Sequence, residues 1–367
     1  MMKSFIFFSV FLLFFFALHY LFNTRVINGL LFSERTKSVL TWALWMNFGF
    51  NVLYVVERYS DLLPGTFYYL CSLSIGISFV LLLYLLIHEI LELFHRSLKH
   101  IDHSKRRFIK KSGDSALLAL STAYVGAAAY EGSKLPVVHP VKFGKFDFSI
   151  VQISDLHIGG LIDHAFVKDA VKKINALSPD IVCITGDLVD TTLERILPAL
   201  DELEKIESRY GIYYILGNHE YFHHPEKIIA HFKQSRINLL LNEHITLNAL
   251  RLNIVGLTDM MGFRTQTLQP DIARAFSGIN PEYQTLLLSH QPKSIELLGF
   301  HTPTLILSGH THGGQIWPFG YLVKLQQPYL KGLHTLPNGV SLYVNSGIGF
   351  WGPPMRLSSQ AEITYIT

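Results

Sequence analysis

Asp155 and His157 stand two residues apart, directly behind an apolar run, Phe148–Ile153. The arrangement recurs along the chain. Gly186-Asp187-Leu188-Val189-Asp190 follows Ile181–Thr185, and Gly217-Asn218-His219-Glu220 follows Ile212–Leu216. His290 ends the run that begins at Thr285, and Gly309-His310-Thr311-His312 closes the next one, Thr304–Leu307. Carboxylate, imidazole and amide donors in this mixture suit Mn, Fe or Zn, and the absence of thiolates disfavours a soft metal. Any one of these pieces fits a surface loop or a satisfied core pair as well as a ligand set. Five donor clusters behind five apolar runs are harder to assign to packing. Burying that many carboxylates and imidazoles unpaired is costly, and a pair of bound dications removes the cost. Gly186, Gly217 and Gly309 fit sharp turns where backbone approaches a ligand.

The elements around these clusters alternate. Strands are expected at Phe148–Ile153, Ile181–Thr185, Ile212–Leu216, Ile237–Leu241, Leu252–Leu257, Thr285–Ser289, Thr304–Leu307 and Ser341–Val344. Amphipathic helices are expected at Phe166–Leu177 and Leu193–Ser208. Repeated βα units predict an α/β fold with a partly parallel sheet covered by helices. Ligands in such sheets collect at the carboxyl ends of the strands, where all five clusters fall.

In this order the motifs read DxH, GDxxD, GNHE, H and GHTH. The set resembles the calcineurin-like metallophosphoesterases over about residues 148–350. Gly313-Gly314-Gln315, Asn345-Ser346-Gly347 and Gly352-Pro353-Pro354-Met355-Arg356 look like the membrane-associated bacterial branch of that family. Some members of that branch cleave the pyrophosphate of UDP-2,3-diacylglucosamine in lipid A synthesis. The resemblance implies a layered β-sandwich flanked by helices and two divalent metal ions. It implies one metal held by Asp155, His157 and His312, a second by Asn218, His290 and His310, and Asp187 bridging both. A shared carboxylate would hold the ions about 3.5–4 Å apart, the spacing of two-metal hydrolases. It also implies that His219 stabilises developing charge or protonates the leaving group. Asp190 and Glu220 are expected to orient these groups from behind. His223 and His224 read as a solvated loop. Arg356 and Arg264 are candidate phosphate clamps, since guanidinium forks match phosphate oxygens. The apolar Ile316–Val323 reads as an acyl-chain wall, a bilayer contact or ordinary packing.

The front of the chain is different. The 367 residues are 49% apolar and only 16% charged, which excludes disorder and argues against a wholly soluble protein. Ser4–Thr24, Ser38–Val56 and Leu62–His88 carry no charge, and each is long enough to cross a bilayer as a helix. A basic stretch, His95–Lys111, follows with seven Lys/Arg against one acid, and such stretches stay cytoplasmic. Its Ser104–Lys110 segment resembles a twin-arginine export signal, and a charged collar for the third span explains it as well. Ser115–Tyr130 is a shorter uncharged run that either crosses as a fourth helix or packs on the others. The chain thus divides into a three-helix membrane region with its basic loop (1–114), a possible fourth helix and linker (115–147) and a phosphoesterase domain (148–367). If the fourth run crosses, the domain is outside; if not, inside. The overall charge of +3 comes from the front, because residues 1–130 carry 12 Lys/Arg and 7 Asp/Glu. No general basic face remains for nucleic acid. Two cysteines, Cys71 and Cys183, exclude a disulfide framework.

The expected protein is a multi-pass phosphoesterase or pyrophosphatase of a bacterial inner membrane, its partners the bilayer and a phosphorylated, lipid-linked substrate. The alternative is a phosphatase of exported phosphoesters or phospholipid head groups. A transporter fits less well, because the spans carry charges only near one end, at Glu89 and Glu92. The sequence points to no protein partner.

Overall fold

The computed structural model describes residues 2–60, 65–97 and 102–367. The chain forms two compact units. One comprises residues 1–130 with Gly352–Met355, the other residues 131–351 with 356–367.

The first unit is helical: α1 (Met2–Leu21), α2 (Glu34–Ser60), α3 (Gly65–Ser97) and α4 (His103–Gly132). A π turn at Phe22–Val26 and a 3-10 turn at Ile27–Gly29 extend α1. Phe8–Gly29, Glu34–Glu57 and Gly65–Ser97 are long and apolar enough to span a membrane. Phe15, Leu18, Phe22, Leu44, Tyr84, Leu85 and Leu117 form the apolar core of the unit. Between these side chains runs a buried ladder of neutral polar groups. Asn47 Nδ2 donates to His19 Nε2 (3.1 Å), so His19 Nδ1–H donates to the Phe15 carbonyl (2.7 Å). The Asn47 and Asn51 amides donate to Ser78 Oγ at 2.9 and 2.7 Å, and Ser74 Oγ donates to Asn51 Oδ1 at 2.6 Å. In lipid, where apolar contact gives little association energy, such bonds tie helix to helix. The sequence reading found no midplane charge; the structure adds a midplane polar seam that is uncharged. It also joins what the sequence reading divided at residue 114, since α4 runs unbroken from His103 to Gly132.

The second unit is a sandwich of two six-stranded sheets. Its strands are β1 (Val137–Val141), β2 (Ile150–Ile153), β3 (Ile181–Thr185), β4 (Ile212–Ile215), β5 (Ile237–Leu239), β6 (Glu243–Leu247), β7 (Leu252–Gly256), β8 (Gln284–Leu288), β9 (Leu305–Ser308), β10 (Gly332–Thr335), β11 (Ser341–Val344) and β12 (Glu362–Ile366). The orders are β1-β12-β2-β3-β4-β5 and β10-β11-β9-β8-β7-β6. Each sheet has a four-stranded parallel run, β2-β3-β4-β5 in one and β11-β9-β8-β7 in the other; β12 against β2, β10 against β11 and β6 against β7 pair antiparallel.

Side-chain alternation along the strands builds three layers at once. Ile181 and Cys183 of β3 face the other sheet, together with Tyr213, Ile215, Leu286, Leu288, Leu305 and Leu307. Val182 and Ile184 point the opposite way, to α5 (His164–Asn175), α6 (Leu193–Leu203) and α7 (Pro225–Phe232). On the outer face of the second sheet, Val255, Leu287, Ile306 and Leu342 pack with Ala275 and Phe276 of α9 (Ile272–Phe276). Two further short helices, α8 (Met261–Thr265) and α10 (Gly320–Val323), lie in loops.

Four strands, β1, β6, β10 and β12, are absent from the sequence expectation. Gly132–Pro140 reads as a linker, but its second half is β1, an edge strand paired in parallel with β12. Pro140 made it look irregular; at an edge, a residue without an N–H leaves no ladder bond unmade.

Candidate metal centre

The carboxyl ends of β2, β3 and β4 in one sheet and of β8 and β9 in the other converge. Asp155, His157 and His312 place one ligand atom each within 4.8 Å of one another, as do Asp187, His290 and His310. His157 and Asp187 link the two groups at 3.8 Å. Asn218 Oδ1 stands 3.1 Å from His290 Nε2, which is 3.2 Å from Asp187 Oδ2. The structure therefore assembles all seven residues that the sequence reading proposed as ligands.

Their surroundings fit divalent ions. His157 Nε2 and His312 Nε2 face each other at 3.1 Å, and His312 Nε2 is 3.4 Å from Asp155 Oδ1. The Nδ1 atoms of both rings are buried without a hydrogen-bond partner among the described residues. Two imidazoles turned nitrogen to nitrogen beside buried carboxylates are what a cation between them would satisfy. His290 Nδ1–H donates to the Thr185 carbonyl (2.8 Å), which aims its Nε2 lone pair at the cluster.

The backbone is bent to the same end. Asp155, His157, Asp187, His310 and His312 have φ of 54°, 50°, 50°, 70° and 49°. Side-chain-bearing residues enter this left-handed region at a cost of about 1–3 kcal/mol each, and such residues gather at functional sites. A Cβ on Gly217 would collide with the Asp187 amide and carboxylate, and one on Gly309 with Ser154 Oγ and the Asp155 carboxylate. Gly217→Ala should therefore lower metal content while the sandwich still folds. Full metal content in that variant, measured by elemental analysis, would show that the loop has room to yield.

Burial sets the electrostatics. It pushes Asp155 up to about 6 and lowers His157 to about 4 and His310 to about 3. Burial also opposes charge on both His290 and Asp187, but their mutual attraction wins. Asp187, Asp155 and Asp259 hold His290 well above its ordinary value, and His290 holds Asp187 well below its own.

Asp187 Oδ1 also accepts from the His219 amide (2.8 Å), and His219 Nδ1–H donates to Asp190 Oδ1 (2.7 Å). Burial raises Asp190, but its hydrogen bond from His219 and the nearby His223 and His157 rings hold the carboxyl far below the usual range. Asp190 thus fixes the His219 tautomer and leaves the Nε2 lone pair on the far side of the ring. Glu220 is fully buried and accepts from four amides: Gly217 (2.7 Å), Leu188 (2.6 Å), Val189 (3.0 Å) and Asp187 (3.2 Å). It pins the loops after β3 and β4 to each other.

Other expectations fare differently. His223 lies 3.8 Å from Asp190, closer to the site than a solvated loop implies, whereas His224 is exposed and pairs with Glu226. Arg356 is only 1% exposed, its guanidinium spent on the carbonyls of Ser346, Gly347, Gly349 and Ser359, so it braces loops rather than clamping phosphate. Arg264 is exposed on α8. Within Ile316–Val323, Ile316 is buried while Trp317, Tyr321 and Leu322 are exposed.

Asp259 escaped the sequence reading. It is buried just beyond β7, is pushed up to about 6 by burial, and accepts from Gln291 Nε2 at 2.9 and 3.1 Å. The available signal was the same as for the ligands: a carboxylate behind an apolar strand.

The sequence profile of the calcineurin-like phosphoesterases matches residues 148–314. An uncharacterised metallophosphoesterase of Campylobacter jejuni is 31% identical over 98% of this chain and 96% of its own. The chain belongs to the calcineurin-like metallophosphoesterases. An uncharacterised metallophosphoesterase of Helicobacter pylori is 35% identical over 84% of each chain. A Bos taurus transmembrane protein with metallophosphoesterase domain is 31% identical over 62% of this chain and 54% of its own. The phosphoesterase is accordingly a metal-dependent hydrolase of a family whose fold uses two divalent metals, and it carries membrane-capable helices.

Proposed function

We propose that this phosphoesterase hydrolyses a phosphate ester or pyrophosphate bond of an amphiphilic substrate at a centre holding two ions. Asp155, His157 and His312 would hold one, Asn218, His290 and His310 the other, with Asp187 between. The observation that carries the reading is the convergence of seven O and N donors, six of them buried and His310 half-buried, on one edge of the sandwich. An all-O/N set fits Mn, Fe or Zn. When bound, such ions polarise a phosphoryl oxygen and supply hydroxide near neutral pH. The protein's own part is orientation and proton transfer. Asp190 accepts from His219 Nδ1–H and is the counter-charge for the imidazolium; with Nε2 protonated, that N–H would pass its proton to the leaving oxygen and the ring would return to its Nδ1–H form. Glu220 keeps the two ligand loops in register.

An apolar rim supports an amphiphile. Phe222 and Trp351 are about half exposed, with ring centroids 5.9 and 6.4 Å from His219. The membrane-capable helices confine the enzyme where amphiphiles are concentrated. A nucleotide-linked lipid precursor such as UDP-2,3-diacylglucosamine and an exported phosphoester or phospholipid head group both fit this description. They differ in the compartment that supplies them.

Elemental analysis of the detergent-solubilised protein should find two divalent ions per chain, and chelation should abolish phosphoester hydrolysis. Reloading should also release protons. With no ion present the surrounding carboxylates raise His290 well above its ordinary value, and ligation requires its neutral ring, so affinity rises with pH. Calorimetric titration in buffers of different ionisation enthalpy should show about one proton released per chain at pH 7, from the site that contains His290. A result of no protons released would remove the Asp187–His290 ion pair from the metal-free state.

A further inference from the structure

The pairing of α4 with α3 bears on compartment. Lys110 pairs with Glu92 and with Asp114 Oδ2 (3.7 Å), and His88 Nδ1 lies 3.8 Å from Asp114 Oδ1. Further along, Leu118, Ser121 and Val125 of α4 line one cavity with Ile77, Leu81 and Tyr84 of α3. From Lys110–Glu92 to Asp114–His88 a step forward on α4 is matched by a step back on α3, so the two helices run antiparallel there. From Asp114, level with His88, to Gly132 the helix rises about 27 Å at about 1.5 Å per residue. That is close to the bilayer's hydrocarbon thickness of about 30 Å.

The lipid-facing chemistry agrees. The exposed positions of α4 between Ser115 and Tyr130 include Ala116, Ala119, Leu120, Ala123 and Ala127, and none is charged. Charges return at both ends, with Lys110, Lys111 and Asp114 at one and Glu131 and Lys134 at the other. Within the same unit, Ser72 Oγ near the start of α3 donates to the Gly352 carbonyl (2.6 Å).

We propose that α4 is a fourth membrane crossing. The basic α3–α4 turn stays in the cytoplasm, and the metal centre acts on phosphoesters presented from the opposite face. The substrate is then an outer-leaflet phospholipid head group or an exported phosphoester, not a nucleotide-linked precursor made in the cytoplasm. The substrate part rests on the hydrolytic reading given above; the crossing does not.

The test is labelling of intact bacterial cells with a membrane-impermeant maleimide. Cys71 and Cys183 are buried, so added cysteines report alone. Pro337→Cys, on the exposed turn between β10 and β11, should label without permeabilisation, and Lys105→Cys only after it. The reverse pattern overturns the crossing. The same pair in an Asp187→Asn background reads topology without catalysis. Asp187-dependent phosphate release from p-nitrophenyl phosphate or from phosphatidic acid vesicles should appear with right-side-out membranes. Activity with p-nitrophenyl phosphate alone assigns the exported ester, and with the vesicles the head group. Activity confined to inside-out membranes overturns the proposed face. Outward labelling with no hydrolysis in either orientation sinks the hydrolytic reading and leaves the crossing standing.

Discussion

Asp187→Asn should lower phosphoester hydrolysis by about a thousand-fold or more, the scale on which preorganised electrostatic groups act. The substitution keeps the size of the side chain and an oxygen that can accept from the His219 amide. It removes the negative charge that stands beside both donor groups and that raises His290 well above its ordinary value. Two linked readouts should move with activity. Metal content should fall, and proton release on reloading should shrink because His290 has lost its main counter-charge. Membrane insertion should be unchanged, since Asp187 lies in the sandwich unit. Full activity with two bound ions would remove Asp187 from the shared position.

His219→Ala should slow turnover by about 10²–10⁴-fold, the range for a positioned general acid. Metal content should stay near that of the parent protein. His219 also lies within ligand distance of His157 and Asp187, so ligation is the competing role. The leaving group separates the two. A general acid matters most for a basic alkoxide and least for a leaving group as acidic as p-nitrophenolate. The loss should therefore be much larger for an alkyl phosphate than for p-nitrophenyl phosphate, and Asp190→Ala should show the same bias in weaker form. Equal losses on both substrates, together with lost metal, would reassign His219 to ligation.

The cluster of donor residues was legible because it is written locally. Each donor cluster follows an apolar strand, and parallel strands must deliver their carboxyl ends to one edge. Ile181–Thr185 and Ser341–Val344 were readable to the residue for a related reason, since buried strands are short apolar runs with clear ends. What stayed hidden depends on partners far away in sequence. The left-handed backbone of Asp155, Asp187 and His312 is imposed by the loops that crowd them, and no residue type announces it. Arg356 looked like a phosphate clamp because its charge was visible and the four carbonyls that consume it were not. Asp259 had the right signal and no motif to draw the eye. Residues 103–132 show the limit of composition. A basic half and an Ala-rich half look like separate segments, yet one helix serves both, with its charged end paired to α3 and its neutral end along the same helix.

The position of β12 between β1 and β2 bears on how the protein is made. Among the described residues Val137–Val141 pairs with β12 alone, so the first sheet stays in two pieces until residues 362–366 have left the ribosome. That edge of the sheet is therefore the last part of it to close. If α4 crosses as proposed, a sheet that closes last suits a unit threaded across the bilayer.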